Sequence, residues 1–197
     1  YNIGAYSALH EGMRVVQLDL KAERGQAQLA RELLRADLLL TSFRPSALVK
    51  LGLDWKALRR TCPHLSMVEI VGAPGARADE PGHDLTYLAE AGLVTGTELP
   101  PTLLADMAGP LMASEAALAA LMQARATGRS QHRQVALSSA AEWLALPRTW
   151  GLTLPSGSVG GAHAGYRVYP CKDGRVAIPA LEPPFARPPF GVARLPP

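Results

Sequence analysis

The sequence is poor in cysteine and lacks the short motifs of several common catalytic sites. Its 197 residues include two cysteines, Cys62 and Cys171, which lie far apart and have no CxxC neighbour. This spacing argues against a disulfide framework or a cysteine-rich zinc site and favours reduced thiols in a cytosolic protein. The sequence also contains no GxGxxG, GxxxxGK, GxSxG or HExxH motif. The familiar phosphate-binding loops, the serine nucleophile elbow and the zinc-protease helix are therefore excluded.

The sequence also has only a small net charge and lacks a long apolar run. Lys and Arg number 20 against 17 Asp and Glu, a net charge of +3 without any block of five basic residues. We therefore expect no nucleic-acid partner, although an anionic small ligand is compatible with the excess. No uninterrupted run of about 18 apolar residues occurs, so we expect no membrane span and a cytoplasmic location. Hydrophobic residues make up 48% of the chain and charged residues 19%, as in an ordinary globular protein.

Both ends of the chain are unusual. It begins at Tyr1 without methionine, and seven of its 17 prolines fall within residues 179–197. Such a proline-rich tail continues neither a helix nor a central strand. We therefore expect a piece of a longer protein, or a chain that has lost its original end.

Strand and helix patterns alternate along the first two thirds of the chain. Apolar and β-branched runs predict strands, and apolar residues at helical spacing predict helices. The predicted strands cover residues 14–20, 36–43, 65–72 and 132–138; the predicted helices cover 22–35, 46–62, 84–94, 111–128 and 139–150. This alternation predicts βαβ units and a parallel sheet with ligands at the carboxyl ends of its strands.

Three details qualify these elements. Gly52 interrupts the helix at 46–62, Pro110 fits the first turn of the helix at 111–128, and Pro147 ends the helix at 139–150. Residues 155–165 predict a Gly/Ser-rich loop, and residues 166–181 predict two strands around an Asp173-Gly174 turn.

Titratable groups coincide with turns at three places in the sequence. These are Gly82-His83-Asp84 at the start of a helix, Asp106 just before the long helix, and Glu182 after the last predicted strand. Taken alone, Asp106 is equally well explained as a helix cap or dipole partner, Asp84 is better explained that way, and Glu182 is interpreted as a loop residue. Together, a histidine, a carboxylate and helix-start N–H groups predict chemistry at a carbonyl or at the carbon beside it.

The remaining histidines do not belong to such a combination of titratable groups at a turn. We interpret them as surface or packing residues rather than ligands. They are His10, His64, His132 and His163.

The order of six motifs resembles the CaiB/BaiF superfamily, which comprises the family III CoA transferases and the alpha-methylacyl-CoA racemases. The motifs are LDLK, ADLLLTSFRPSALVKLGL, GHDLTYLAEAGL, LLADMAG, TGRSQ and YPCKDGRVAIPALEP, and the resemblance runs from about residue 12 to residue 185.

The resemblance implies an α/β fold with a large Rossmann-like domain, part of a smaller α+β domain, and two chains interlocked as a homodimer. On this basis we expect the large domain at 1–150, without the first βα unit of the family. A linker and the start of the small domain follow at 151–185, and a Pro-rich tail at 186–197. The family fold would then be truncated at both ends.

The resemblance also implies catalytic roles. The position of Asp106 carries the catalytic carboxylate, which is a nucleophile in the transferases. In the racemases it works with the histidine matching His83, so that one group removes the α-proton and the other returns it. Glu182 supports the site, and Asp84 orients its groups.

Four further positions match the part of the family that binds CoA, the implied substrate; no metal is implied. Arg44 and Lys50 match residues that contact CoA, whose phosphates need cations. For Lys50 a solvated helix lysine is an equal alternative. Gly82 and Tyr87 bound the segment that should line the acyl-CoA thioester.

Several functions remain open at this point. His83 favours a racemase, whereas Asp106 alone would serve a CoA transferase. A shortened loop at 71–82 and proline in place of the usual glycine at positions 110 and 179 depart from the family. These departures leave a non-catalytic remnant that serves oligomerisation as the alternative. A generic nucleotide-binding module is disfavoured by the missing phosphate loops.

Overall fold

The computed structural model describes residues 2–182. The Pro-rich tail expected at 186–197 lies outside the described residues. The described chain divides into two compact units. The first unit contains residues 2–82 and Asp106–Leu137, and the second contains His83–Ala105 and residues 138–182. The domain boundaries expected from the sequence, at residues 150 and 185, remain predictions.

Helices and strands alternate along the chain. The helices are α1 (Ile3–Leu9), α2 (Glu23–Leu33), α3 (Pro45–Leu51), α4 (Trp55–Thr61), α5 (Asp84–Glu90), α6 (Leu104–Thr127) and α7 (Leu137–Thr149). The strands are β1 (Leu38–Thr41), β2 (Ser66–Val71), β3 (His132–Ala136), β4 (Tyr166–Cys171) and β5 (Gly174–Pro179).

The predicted parallel sheet is confirmed in the first unit. It runs in the order β1-β2-β3, and both neighbouring pairs are parallel. Strand β2 lies in the middle, where both of its faces are covered, and five of its six residues are buried. A central parallel strand is therefore largely an apolar run, as SMVEIV is here, with Ser66 and Glu69 as the polar exceptions.

Two apolar clusters pack on opposite faces of this sheet, because successive side chains of a strand alternate between faces. Met67 of β2 packs with Leu48 of α3 and Leu58 of α4. Val68, the next residue, packs with Ala113 of α6 and Val135 of β3.

The predicted break at Gly52 is confirmed and separates α3 from α4. Gly52 ends α3 with a φ of 66°, a left-handed backbone that glycine adopts without strain. Two residues later, Asp54 begins α4 by accepting the N–H of Ala57 at 3.2 Å.

The predicted start of the long helix is wrong. Helix α6 begins at Leu104, seven residues before position 111, and both Asp106 and Pro110 lie inside it. The sequence predicts a start at Pro110 because proline is common in first turns, but here the helix continues through it. Pro147 likewise lies inside α7 and does not end that helix.

Four of the larger apolar side chains of α6 are exposed, whereas Met112 packs against the cluster on the sheet. Met107, Leu111, Leu118 and Met122 are each more than 60% exposed, whereas Ala113 and Ala120 are buried. Within residues 2–182, α6 is the one helix long and apolar enough to cross a membrane, judged by length and composition alone. Its Ala113 packs against the sheet, and the absence of a membrane span remains a prediction.

The strand predicted at 14–20 is wrong. Residues 13–19 have no regular secondary structure, and Val15 is 58% exposed. A β-branched sequence becomes a strand only when a neighbouring strand accepts and donates its backbone hydrogen bonds. Among the described strands, none pairs with this segment.

In the second unit, the predicted hairpin near the end of the chain is confirmed. Strands β4 and β5 are antiparallel, with Cys171 opposite Gly174. The predicted Asp173-Gly174 turn is wrong by one residue, because Gly174 already pairs in β5 and the connection is Lys172-Asp173. Both cysteines of the chain are free: Cys62 is buried in the first unit, and Cys171 is exposed on β4.

Candidate active site

Asp84, which lies in the segment from Gly82 to Tyr87 that is predicted to line the thioester, contacts the start of α6. Its side chain is 5% exposed, and its Oδ1 accepts the backbone N–H of Ala105 at 2.7 Å. Ala105 is the second residue of α6, where a backbone N–H has no partner within the helix. Asp84 therefore caps a helix that begins 20 residues later, and the residue directly after Ala105 is Asp106.

His83 is the N-cap residue of α5 and is exposed. Its backbone carbonyl accepts the N–H of Thr86 at 2.8 Å, and its own N–H donates to Thr86 Oγ1 at 3.4 Å. These local bonds fix the turn at the start of the helix. The imidazole therefore extends from a hydrogen-bonded helix start and is exposed to solvent.

Asp106 lies in the first turn of α6 and is half-buried. The positive end of the helix dipole favours a negative charge at this position. Glu182 is exposed and follows β5 by three residues. Asp106 belongs to the first unit, whereas His83 and Glu182 belong to the second, so the gathering of these three groups remains a prediction.

Gly82 and Tyr87 flank the His83-Asp84 pair. Gly82 is half-buried, and Tyr87 is 5% exposed in α5. The Tyr87 ring therefore contributes to the interior of the second unit. Its predicted place along an acyl-CoA thioester remains a prediction.

Arg44 and Lys50 lie at opposite ends of α3. Arg44 is the N-cap residue, Lys50 is in the last turn, and both are exposed. Both charges act on the same carboxylate. The backbone N–H of Ser46, which donates to Asp79 Oδ1 at 3.0 Å, lowers the pKa of Asp79, and the cations Arg44 and Lys50 lower it further.

Asp79 was not identified from the sequence as part of this region. It lies 33 residues after Ser46, in the loop between β2 and α5, and only the fold brings it to α3. An aspartate in a loop gives no local sign of such a contact, because Asp is common in loops for its own turn chemistry.

No group of three or more His, Cys, Asp or Glu side chains is arranged to hold a metal ion among residues 2–182. The sequence prediction of a site without a metal is left untested by this observation. The carboxylates of the region instead accept backbone N–H groups, as Asp79 and Asp84 do.

Curated relatives include both enzyme types of the superfamily. The chain is 34% identical to the human alpha-methylacyl-CoA racemase over 197 residues, which cover 91% of this chain and 52% of the racemase. It is also 34% identical to the cinnamoyl-CoA:phenyllactate CoA-transferase of Clostridium sporogenes, over 69% of this chain and 35% of that enzyme. The chain thus spans between about a third and about half of the length of these relatives.

Solved structures show the same fold. A protein of Mycobacterium tuberculosis superposes with a TM-score of 0.74 at 30% identity, covering 88% of this chain and 50% of that one. A CaiB/BaiF family protein from Brucella suis gives a TM-score of 0.72 at 26% identity, covering 83% of this chain and 47% of that one.

A family profile extends the match over nearly the whole sequence. The profile described as CoA-transferase family III covers residues 2–196. The motif order, the parallel sheet and the relatives agree with it. The chain therefore belongs to CoA-transferase family III.

Proposed function

We propose that this chain contributes the catalytic segment of a CoA-thioester enzyme. The observation that carries the proposal is the hydrogen bond from the Ala105 N–H to the buried Asp84 carboxylate. It fixes the first turn of the helix that bears Asp106 to the residue that follows His83. The two residues to which the family resemblance assigns chemistry are thus each adjacent in sequence to one end of the same bond.

In the first of two reactions, the chain epimerises a 2-methylacyl-CoA. One of the pair His83 and Asp106 removes the proton from the α-carbon, and the electron pair of that C–H bond passes into an enolate. The other group then returns a proton to the opposite face of the α-carbon. The matching histidine and the match to the human racemase over 91% of the chain support this reaction.

In the second reaction, the chain transfers CoA between two carboxylic acids. The Asp106 carboxylate attacks the thioester carbonyl, and the C–S bond breaks to release the CoA thiolate and leave a mixed anhydride. The thiolate then attacks the aspartyl carbonyl, which releases the first acid and forms an aspartyl thioester. A second acid accepts CoA by the reverse steps. The CoA-transferases among the relatives support this alternative.

In either reaction, Arg44 and Lys50 would bind the phosphates of CoA. Their placement around α3, where both act on the charge of Asp79, supports a cationic patch in this part of the first unit. A phosphate and a guanidinium form paired, charge-assisted hydrogen bonds. Asp79 would then moderate the positive charge that the phosphate meets.

The proposal includes the homodimer and the cytoplasmic location expected from the family. Exposed apolar residues on α6, such as Leu111 at 70% and Leu118 at 64%, are compatible with a protein partner. The alternative remains a non-catalytic remnant that keeps the family helices for oligomerisation.

Solvent exchange at the α-carbon tests the first reaction. We expect the chain to introduce deuterium from D₂O into the α-position of 2-methylacyl-CoA, and His83→Ala or Asp106→Ala to abolish this exchange. His163→Ala and Glu115→Ala are matched controls, because both residues are exposed, and both should retain it. Exchange that survives loss of His83 and Asp106 would contradict the proposal.

Covalent trapping tests the second reaction. Hydroxylamine added during turnover should convert Asp106 to its hydroxamate, which mass spectrometry of a peptide from α6 would detect. The absence of exchange, transfer and any rise in melting temperature with CoA would instead support the remnant.

A further inference from the structure

A leucine-rich cavity lies between α2 and α4 in the first unit, and none of the proposed catalytic residues lines it. Its volume is about 280 Å³, and seven of its twelve lining residues are leucines. They come from α2, α4, the bend that joins α3 to α4 and the segment before α2. Protein interiors are densely packed and hold few empty spaces larger than a water molecule, so a cavity of this size calls for an explanation.

The cavity has a buried floor and an exposed rim. Leu33 and Leu58 form the floor and are 5% and 2% exposed. Leu34, which is 58% exposed, and the exposed Ala30 lie at the rim. A small molecule can therefore enter from solvent and reach an apolar interior.

The polar side chains of the lining are already hydrogen-bonded within the chain. The Gln26 side-chain amide donates to the Leu20 carbonyl at 2.9 Å, and the Thr61 hydroxyl donates to the Ala57 carbonyl at 3.4 Å. Among residues 2–182, no buried side-chain nitrogen or oxygen lacks a hydrogen-bond partner. The lining contains no Asp, Glu, Lys, Arg or His. The cavity therefore offers a ligand apolar surface and no ion pair.

The cavity lies on the face of the sheet that α6 does not cover. Leu58 of its floor belongs to the apolar cluster that packs on Met67 of β2. Ala113 of α6 instead packs on Val68, whose side chain points to the opposite face. Helix α6 bears Asp106, so a ligand in this cavity would be separated by the sheet from the proposed chemistry. Binding here does not depend on the proposed CoA reactions.

The size and polarity of the cavity decide which molecules fit. An apolar cavity of about 150 Å³ stays free of water and binds benzene, and the volume here is almost twice as large. We propose that the cavity is a binding site for an uncharged apolar molecule of about the size of two fused rings. Burial of the apolar surface of the ligand supplies the affinity, because the lining has no charged group to offer.

An uncharged fluorescent probe, N-phenyl-1-naphthylamine, tests the site in the unaltered chain, because its emission rises in apolar surroundings. We expect saturable binding of a single probe per chain. Ala30→Trp and Thr61→Phe introduce large side chains from α2 and from α4, on two sides of the cavity. Each should weaken probe binding by about tenfold or more, because the added ring takes the space of the ligand.

Ala27→Trp is the matched control. Ala27 is an exposed alanine of α2, three residues before Ala30, and it does not line the cavity. This variant should bind the probe as the unaltered chain does. Circular dichroism shows that each variant is folded, as expected for substitutions at exposed positions. Probe binding that survives in both folded cavity variants would place the probe on another surface and overturn the proposal.

Competition between two ligands of equal shape tests the chemistry of the site. Naphthalene and purine both have two fused rings, but the ring nitrogens of purine lose their hydrogen bonds to water in an apolar cavity. We expect naphthalene to displace the probe and purine to require a concentration about tenfold higher or more. Equal displacement by the two compounds would contradict an apolar site.

Discussion

The Asp84 carboxylate and the Ala105 backbone N–H are joined by a hydrogen bond of 2.7 Å, and the Asp84 side chain is buried. The bond connects the first residue of α5 with the second residue of α6. It closes the loop between these helices and so fixes the start of the longest helix of the described chain. Stability and any chemistry at Asp106 should both depend on it.

Replacing Asp84 with alanine should lower the free energy of unfolding by about 1–3 kcal/mol, because the Ala105 N–H then lacks its buried acceptor. Asp84→Asn keeps an acceptor oxygen and should cost less. Denaturant unfolding followed by circular dichroism measures both. Glu98→Ala is the control, since Glu98 is an exposed carboxylate in the same loop. Equal losses in the alanine and control variants would contradict the assignment.

Leu48 should be among the most sensitive positions of the first unit. It is 1% exposed and packs in the cluster that contains Leu58 and Met67. Leu48→Ala leaves a cavity and should cost about 2–5 kcal/mol. The adjacent Val49 is 63% exposed, and Val49→Ala should change the unfolding free energy little. A similar loss at both positions would contradict the assignment of Leu48, and not Val49, to the apolar core.

Gly25 should not tolerate a side chain. A Cβ at this position in α2 would collide with the backbone carbonyl of Asp19, which cannot rotate away as a side chain would. We expect Gly25→Ala to lower the unfolding free energy by about 1–3 kcal/mol, the usual cost of overpacking. Gly96→Ala is the control, because nothing lies within 4 Å of its added Cβ. A neutral Gly25→Ala variant would contradict the close approach of the 19–22 turn to α2.

Because of Asp79, the stability of the protein should depend on pH in the acidic range. The Ser46 N–H, with help from Arg44 and Lys50, lowers its pKa below the ordinary value. A lowered pKa in the folded state means that Asp79 stabilises the protein above its ordinary pKa and that this contribution is lost as the pH falls through the lowered one.

Asp79→Asn should therefore reduce the loss of stability between neutral and acidic pH. Thermal unfolding at a series of pH values measures the slope, with the exposed Glu115→Gln as control. An unchanged slope in the Asp79 variant would show that the Ser46 contact does not persist in solution.

Local sequence patterns predicted the three strands of the parallel sheet. The runs at 36–43, 65–72 and 132–138 contain β1, β2 and β3. The apolar run of the central strand β2 is buried, as expected of a parallel strand covered on both faces, and β3 buries its last two residues, Val135 and Ala136. The run at 14–20 has the same composition but no strand beside it, and pairing is not visible in a single segment. Proline misled the prediction of α6, since Pro110 signals a first turn only when no capping group extends the helix before it.

The contacts around the candidate site depend on residues distant in sequence. His83 and Asp84 stood out because they begin a helix, but the acceptor role of Asp84 toward Ala105 required the fold. The pairing of Glu69 with His132 depends on the register of β2 against β3 across 63 residues. A charged residue inside the predicted strand at 65–72 was the one local signal that a partner had to exist.

The two thiols of the chain differ in a way that offers experimental access. Cys171 projects from the β4–β5 hairpin into solvent, whereas Cys62 is enclosed in the first unit. A maleimide dye should therefore attach to the hairpin at once and reach the second sulfur only when the sheet unit opens. The labelling rate of Cys62 would then measure how fast the first unit opens, with the rapid labelling of Cys171 in the second unit as the internal reference.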